Sequence, residues 1–243
     1  TLESPEHVAV SRRQQIFALA GTGIVQFTQP GRCWWHWWGA TGDGVMDDTA
    51  VIAACIEACE PNGEALGAPG DYVFSSLTFD NVMVFGGANG PTQGRWNVGD
   101  GAVTLLPDGT VDPAILVGGT ADSLFIDAAH ECVEGLRLQH FLLERTAGAG
   151  RGILVDGSTT LRGTRGYVRD MLWDDVHVRG FQDHNVEFLG NVFDARAYGC
   201  SSFDCAVMGV IGTTAASLGA TTPAQISFYD CYFYGNATGP QFA

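Results

Sequence analysis

Short apolar runs separated by polar breaks make up most of the sequence after residue 70, and this pattern constrains the fold more than any other feature. The runs occur in GDYVFSSLTFDNVMVFGG, AVTLL, AILVGG, SLFIDA, GLRLQHFLL and GILVDG. Each run is too short for a helix, and no helical pattern separates one from the next. The 33 glycines and the 16% of charged residues also favour many turns over long exposed helices. The sequence therefore predicts an all-β fold, either a sandwich or a stacked solenoid.

The second half of the sequence favours the solenoid. Four segments share the pattern Asp-x4-Gly, and they begin at Asp175, Asp194, Asp204 and Asp230. After each aspartate, alternate positions are small or apolar, which is typical of a short strand with one buried face. One strand motif at irregular intervals indicates a β-solenoid, in which each coil adds like positions to a stack and loops of any length lie between coils.

A glycine-rich turn and a short helix precede the strands. The apolar stripe of this helix consists of Ile52, Cys55, Ile56 and Cys59. The helix begins at residue 49 and is stopped by PNG at 61–63. Either Asp47 or Asp48 is placed to cap it, because a carboxylate accepts hydrogen bonds from the free N–H groups at a helix start. Gly42 and Gly44 allow a tight turn beforehand. Asp43, Asp47 and Asp48 are therefore interpreted as turn and cap residues rather than catalytic acids.

The N-terminal residues predict a helix, a strand and an aromatic cluster. Ser11 to Gly23 follow a helical pattern closed by glycine, and IVQFTQPG then indicates a short strand that ends in a turn. The aromatic cluster consists of Trp34, Trp35, His36, Trp37 and Trp38. Its interpretation is either a plug in the core or a subunit interface, where tryptophan is enriched. A sugar-stacking platform is a third alternative.

The formal charge of −15 restricts the partners of the chain. An acidic chain repels phosphate backbones, so nucleic acid is not expected as a partner. A polyanionic glycan would need a cation or a local patch of arginines, which supply all 12 basic residues. No segment approaches 18 consecutive apolar residues, so no membrane insertion is expected. The seven cysteines lack the spacing of a zinc site, which predicts buried thiols and no metal.

The turn and helix resemble the N-terminal signature of the pectate-lyase-like superfamily of right-handed parallel β-helices. In that family a GA-x-GDG-x-x-DDT turn precedes a helix that caps the solenoid. The matching residues are Gly39, Ala40, Gly42, Asp43, Gly44, Asp47, Asp48 and Thr49. Pro69, Gly70 and Tyr72 match the PPG-x-Y segment that enters the first coils. The resemblance extends from residue 39 to residue 243, and the upstream piece IFALAGTGIVQFTQPG is similar to the neck of phage tailspikes and capsule depolymerases.

The resemblance implies an all-β, right-handed parallel β-helix with a short N-terminal capping helix. Residues 1–32 would form the neck and helix segment, and residues 33–243 the β-helix domain, whose C-terminal coils stop mid-pattern. It further implies a homotrimeric, tailspike-like protein, on the virion surface or tail or extracellular, that binds host polysaccharide and often cleaves it, beside other virion proteins. Two alternatives stay open: a non-catalytic structural or receptor-binding virion component, and a secreted microbial polysaccharide hydrolase or lyase.

Strand alternation provides the candidate site residues. If Val176 and Val178 point into the core, the polar residues around them point outward. Tyrosine rings stack on sugars and arginine binds hydroxyls or carboxylates. The candidates for glycan binding are His177, Arg179, Arg196, Tyr198, Tyr232 and Tyr234. The candidates for catalysis are Asp175, Glu187, Asp194, Asp204 and Asp230. Each of these aspartates has an alternative structural role, because aspartate before a strand often closes a turn.

Two reaction classes are compatible with these candidates. Hydrolysis needs two carboxylates, about 5–5.5 Å apart for retention and about 6.5–9.5 Å apart for inversion. Since coils stack about 4.8 Å apart, acids one coil apart suit retention, and acids two coils apart approach the upper inverting range. A lyase needs a base and a cation, for which His177 or His184 and an arginine or Ca2+ would serve. No other cofactor is expected.

Overall fold

The chain forms a parallel β-helix. The computed structural model describes residues 3–8, 10–18, 25–79, 83–88, 102–109, 112–118, 131–145, 150–157, 166–213, 223–236 and 241–242. Within these residues the strands pair in parallel, and three sheets run along the stack of coils. Successive coils contribute in-register residues to each sheet, which is the arrangement of a solenoid and not of a sandwich.

The described residues contain 21 strands, numbered β1 to β21 along the chain. The largest sheet contains β1 (Arg32–Trp34), β2 (Asp43–Asp47), β3 (Glu64–Gly67), β4 (Gly70–Phe74), β6 (Val84–Gly87), β7 (Val103–Pro107), β10 (Arg137–Glu144), β13 (Leu172–Arg179), β16 (Arg196–Tyr198), β17 (Ser201–Phe203), β19 (Ser227–Tyr229) and β20 (Tyr232–Tyr234). The second sheet contains β5 (Leu77–Phe79), β8 (Ile115–Gly118), β11 (Ile153–Gly157), β14 (His184–Gly190), β18 (Met208–Thr213) and β21 (Gln241–Phe242). The third contains β9 (Glu131–Glu134), β12 (Gly166–Arg169) and β15 (Val192–Phe193).

An α-helix, α1 (Thr49–Cys59), packs against the first two coils, at β1 and β3, and against the 3-10 helix Trp35–Trp38. A second 3-10 helix spans Pro5–His7. The four residues of the predicted stripe are all buried, so the predicted helix and its apolar face are confirmed. In the described part of the chain, no helix combines the length and apolar content needed to cross a membrane.

The aspartates before α1 bind backbone groups, as the sequence indicates. The Thr49 N–H donates to Asp47 Oδ1 at 2.9 Å, so Asp47 provides the side-chain cap. The Asp48 carboxylate instead accepts hydrogen bonds from the preceding turn, from the N–H groups of Thr41 at 2.8 Å and Gly42 at 3.1 Å. Asp43 accepts from the next two free N–H groups of its own turn, both at 2.9 Å. All three carboxylates therefore shape the turn.

The tryptophan cluster is a core plug. Trp34, Trp35, Trp37 and Trp38 are between 0% and 7% exposed. The Trp35 ring stacks on Phe85 of β6, with ring centroids 5.0 Å apart. A Cβ on Gly67 would lie 2.5 Å from the Trp35 ring, so only glycine fits opposite it. The plug closes the apolar interior of the solenoid beneath α1.

The helix predicted for Ser11 to Gly23 is wrong over residues 11–18, which hold a turn and no helix. The N–H groups of Ile16 and Phe17 donate instead to the Trp37 carbonyl, at 3.0 and 2.7 Å. Contacts with the plug therefore override the local helical pattern. The strand predicted after it is reduced to a single bridge residue at Phe27, and residues 19–24 lie outside the described part.

The four Asp-x4-Gly segments are not equivalent, which corrects their interpretation as one repeat. Asp175 and Asp230 occupy matching positions in the largest sheet, whereas Asp194 precedes β16 and Asp204 follows β17. All four aspartates have φ between 52° and 59°. Because aspartate tolerates this left-handed conformation, the motif marks a turn at any corner and not one position in the coil.

Candidate functional site

One corner of the solenoid is built by a column of residues in the left-handed conformation. Strands β10 and β13 each bend at a single residue, His140 (φ 56°) and Asp175 (φ 59°). In the next two coils, Gly199 (φ 63°) and Asp230 (φ 52°) take the same place, before β17 and before β20. Glycine, aspartate and histidine adopt this conformation more readily than most residues, so the sequence permits the bend in every coil.

The surface at this corner is recessed. Leu142, His177 and Ser201 are in register on the outer side of their strands, because they alternate with core residues. They are nevertheless only 3%, 3% and 6% exposed. We call this region the corner recess. Its floor is His140, Asp175, Gly199 and Asp230; one wall is Gln139, Asp174, Tyr198 and Tyr229; the other wall is Leu142, His177, Ser201 and Tyr232.

Asp175 contacts two histidines in the recess. Its Oδ1 accepts a hydrogen bond from Nε2 of His177 at 3.0 Å, and its Oδ2 lies 3.5 Å from Nδ1 of His140. Burial alone would raise the pKa of Asp175, but the interactions with His140 and His177 outweigh burial and lower this pKa to about 2. Asp175 is therefore a carboxylate at neutral pH and cannot serve there as a general acid.

A hydrogen-bonded chain continues from His177 to Ser201, where Nδ1 lies 2.6 Å from the serine Oγ. Because ionised Asp175 can only accept, Nε2 of His177 carries the proton. In neutral His177 the other nitrogen, Nδ1, is then the acceptor for the Ser201 hydroxyl. Carboxylate, imidazole and hydroxyl are thus connected in series across two adjacent coils.

His140 presents its imidazole to the recess. Its Nδ1 faces Asp175, and its side chain is 22% exposed. Within the described residues, Nδ1 of His140 is buried and has no hydrogen-bond partner, although it lies 3.5 Å from Asp175, so the imidazole is available to a ligand or a proton. Its backbone, at φ 56°, is uncommon for a residue other than glycine. Such conformations are concentrated at functional sites.

The floor of the recess has a dip at Gly199. A Cβ added there would meet no heavy atom within 4 Å. The coils above and below carry Asp175 and Asp230 at this position. The same coil places Ser201 in the wall, where the adjacent coils carry a histidine and a tyrosine. The smallest side chains of the floor and of this wall therefore lie in the same coil. Tyr198 faces the dip from the opposite wall.

Arginines neutralise acidic groups beside the recess. Arg137 binds Asp174 at 2.8 Å, and Arg179 binds Glu144 at 2.5 Å. Arg196 is exposed and forms no ion pair with the described residues. It lies two positions from Tyr198 on the same face of β16, so it is the arginine left to bind an anionic group of a ligand.

Stacked tyrosines line the first wall. The rings of Tyr198 and Tyr229 are nearly parallel, with centroids 4.8 Å apart and an angle of 10° between them. They are 41% and 48% exposed. Their edges and hydroxyl groups therefore face solvent along two coils, which suits contact with an extended carbohydrate.

The structure brings together only part of the predicted site. Asp175 and Asp230 are the catalytic candidates that reach the recess. Asp194 (φ 52°) and Asp204 (φ 54°) are turn residues at other corners. Glu187 lies in β14 of the second sheet, where it is 8% exposed and binds Arg151 at 2.9 Å.

The glycan-binding candidates lie closer together. His177, Tyr198 and Tyr232 belong to the recess walls, and Arg196 lies beside them. His177 is buried, so its role in the structure is to bind Asp175 and Ser201 and not to contact solvent directly. Arg179 stacks over Phe203 next to its ion pair, and Tyr234 is 59% exposed at the end of β20.

Sequence reasoning missed His140 and Ser201. The available signal is a shift in the alternation: Leu138 and Phe141 both face the core, so two residues rather than one lie between them. The same shift recurs one coil later at Trp173 and Val176. This shift marks the position of the corner in the sequence. Aligning the coils at that position would have brought Asp175, His177 and Ser201 together.

Neither a metal site nor a disulfide is formed by the described residues. No three His, Cys, Asp or Glu side chains among them are grouped so as to hold a metal ion, so the Ca2+ considered for a lyase has no matching ligand set there. The free thiols with buried side chains are Cys33, Cys55, Cys59, Cys200 and Cys205, and Cys231 is half-buried.

Comparison with known proteins identifies the fold. No family model matches the chain, and no curated protein matches it. Among solved structures, the chain is similar to ORF18 of Geobacillus virus E2, with a TM-score of 0.63 and 16% identity over 85% of this chain and 38% of that one. It is also similar to the A-module of the Azotobacter vinelandii mannuronan C-5 epimerase AlgE4, with a TM-score of 0.48 and 17% identity over 86% of this chain and 51% of that one. The chain thus spans about two fifths of the phage protein, and the similarity shows a shared parallel β-helix fold.

Proposed function

We propose that this chain binds a surface polysaccharide in the corner recess and depolymerises it, as part of a homotrimeric virion or extracellular protein. The observation that carries the proposal is the pairing of Asp175 with His140 and His177 beside an open dip. The exposed tyrosines of the recess wall and unpaired Arg196 support carbohydrate binding. The similarity of the upstream piece IFALAGTGIVQFTQPG to the neck of phage tailspikes supports the virion setting and the trimer, and the fold shared with a phage protein is consistent with the virion setting.

The geometry favours elimination over hydrolysis. A general acid carboxyl is normally buried so that it keeps its proton at neutral pH. Asp175 is ionised, and Asp230 is exposed, so neither has this environment. A histidine held by a carboxylate is instead suited to take a proton. We therefore assign His140 as the base, which removes the proton α to a uronate carboxylate while Arg196 pairs with that carboxylate. The electron pair then forms a carbon–carbon double bond and expels the glycosidic oxygen, which takes up a proton from solvent water.

The test measures products and binding separately. The purified chain is incubated with a panel of capsular and exopolysaccharides while absorbance at about 235 nm and new reducing ends are recorded. We expect absorbance and reducing ends to rise together on an anionic glycan. His140→Asn keeps a residue that tolerates the left-handed backbone, and it should lower the rate by about 10²–10⁴-fold with binding retained.

Asp194→Asn is the matched control, because Asp194 has the same backbone conformation at a different corner. It should leave the rate unchanged. Reducing ends without absorbance would overturn elimination in favour of hydrolysis. Glycan binding with neither product would overturn depolymerisation and leave the chain as a receptor-binding or structural component.

A further inference from the structure

We propose that Ser201 is the nucleophile of a second activity in the corner recess, the hydrolysis of small acyl esters carried by polysaccharide hydroxyls. This inference rests on the proposed function for its natural substrate, a polysaccharide ester. It does not depend on His140 or on cleavage of the glycan chain.

Ser201, His177 and Asp175 are connected in the order that nucleophilic catalysis by serine requires. A serine hydroxyl is a weak nucleophile unless an adjacent base accepts its proton. Ser201 Oγ lies 2.6 Å from Nδ1 of His177, and Nε2 of His177 lies 3.0 Å from Asp175. Asp175 fixes the tautomer that leaves Nδ1 as the acceptor, and it stabilises the imidazolium that forms. This is the arrangement of nucleophile, base and positioning carboxylate that acyl-transfer enzymes use, here with the two ring nitrogens exchanged.

Open space lies beside Ser201 in the corner recess. Ser201 is 6% exposed, and it borders the dip at Gly199, where an added side chain would have open room. The dip is one coil high, with Asp175 above and Asp230 below. The open space at Gly199 is therefore where we place the acyl group, beside the serine, while the glycan chain lies along the recess. If the hydrogen bond between Ser201 and His177 had only a structural role, the smallest side chains of the floor and of the wall would not need to lie in the same coil.

Burial protects the hydrogen bonds of the base. His177 is 3% exposed, so water does not compete for its hydrogen bonds with Asp175 and Ser201. Hydrogen bonds in such surroundings are stronger and hold the groups in one orientation. The two histidines bound to Asp175 thus differ in role: His140 faces the recess with its imidazole, and His177 faces only the serine.

The reaction balances without a cofactor or oxidant. Ser201 Oγ attacks the ester carbonyl as its proton moves to Nδ1 of His177. The bond between the carbonyl carbon and the sugar oxygen breaks, and the sugar oxygen takes the proton from His177. Water then adds to the acyl-serine, again losing a proton to His177, and the carboxylic acid leaves as Ser201 recovers its hydrogen.

The test uses the full chain with two small probes that need no polysaccharide. A fluorophosphonate probe should form a covalent adduct on Ser201, located by peptide mass spectrometry. p-Nitrophenyl acetate should be hydrolysed, and Ser201→Ala or His177→Gln should lower kcat/KM at least a hundredfold. Ser227→Ala changes a serine of β19, one coil away from Ser201; it is the matched control and should keep full activity and labelling. Thermal melts of each variant establish that the fold is retained.

Two further variants separate this inference from the proposed function. His140→Asn should lose depolymerisation while the fluorophosphonate adduct still forms on Ser201, and Ser201→Ala should lose the adduct and ester hydrolysis. An adduct at another residue, no adduct, or unchanged ester hydrolysis by folded Ser201→Ala would overturn the inference and leave depolymerisation standing. Labelling of Ser201 without depolymerisation of any glycan would support the inference and overturn elimination at His140.

Discussion

Asp48 shows how a single buried side chain can determine the N-terminal turn. It is 2% exposed and accepts hydrogen bonds from the N–H groups of Thr41 and Gly42. Burial raises its pKa, and these hydrogen bonds offset only part of that effect. We expect Asp48→Ala to lower the free energy of unfolding by about 2 kcal/mol, because each buried donor left unsatisfied costs about 1–3 kcal/mol. Urea unfolding measures this loss.

Asp43→Ala provides the comparison. Asp43 is exposed and accepts from Val45 and Met46, so water can replace its carboxylate. Asp43→Ala should therefore lower the free energy of unfolding by less than Asp48→Ala does. Equal losses from the two variants would contradict a special role for the buried carboxylate.

Asp175 should give the stability of the protein a distinct dependence on pH. Its pKa is about 2 in the folded protein, against an ordinary value of 3.8. A carboxyl with a lowered folded pKa stabilises the fold above its unfolded pKa and loses that contribution as pH falls through the folded value. The contribution of Asp175 should therefore be complete above about pH 5 and disappear between about pH 4 and pH 2.

The measurement is urea unfolding of wild type and Asp175→Asn across this range. The difference in unfolding free energy should be roughly 2 kcal/mol at neutral pH, since one pKa unit corresponds to about 1.4 kcal/mol. It should shrink towards zero as pH approaches 2. A difference that is constant with pH would show that the two histidines do not stabilise an ionised Asp175.

The turns between strands differ in how much space they leave, and two glycines show this. Gly180 (φ 82°) would place a Cβ 2.1 Å from the Arg145 carbonyl oxygen, whereas Gly199 (φ 63°) has no heavy atom within 4 Å of that position. Asparagine tolerates the left-handed conformation, so it tests space alone. We expect Gly199→Asn to fold, with a loss of about 1 kcal/mol or less, and Gly180→Asn to be strongly destabilised.

Gly199→Asn should also fill the dip and lower acyl-ester hydrolysis while the fold persists. Circular dichroism melts and p-nitrophenyl acetate turnover measure the two effects separately. A folded Gly199→Asn with unchanged turnover would show that the dip does not receive the acyl group.

The elements near the N-terminus follow from local sequence, and the recess does not. The buried stripe of α1 and the aspartate turn depend on spacing over a few residues, so the sequence predicts them. The recess depends on which residues meet across coils. The aligned strands start at residues 137, 172, 196 and 227, so the coils differ in length and no fixed period reveals their register. Ser201 and His177 are 24 residues apart in sequence and adjacent in space.

Alternation also fails at the bends. It predicts that His177 points outward, which is correct for its side of the strand, but not that the corner is recessed and His177 buried. Burial there arises from the angle between two strand segments, which is set by one left-handed residue in each coil. The helical pattern of residues 11–18 was overridden in a similar way, by contacts with the tryptophan plug.

The whole molecule is acidic, whereas Arg196 beside the corner recess can attract an anionic ligand. The protein carries a net charge of −15, while the recess keeps Arg196 without an ion partner in the described part of the chain. Long-range repulsion should therefore slow the approach of an anionic glycan, and short-range pairing with Arg196 should hold it once bound. These two effects respond differently to salt, because screening acts mainly on separated charges.

Binding of an anionic and a neutral polysaccharide at increasing ionic strength tests this division. The Debye length falls from about 30 Å at 0.01 M salt to about 8 Å at 0.15 M. The association rate of the anionic glycan should therefore rise several-fold over this range, while that of the neutral glycan stays constant. Arg196→Gln should speed dissociation of the anionic glycan at every salt concentration, because salt screens a direct contact only weakly. An association rate that falls as salt is added would show that local arginines, and not the net charge, govern the encounter.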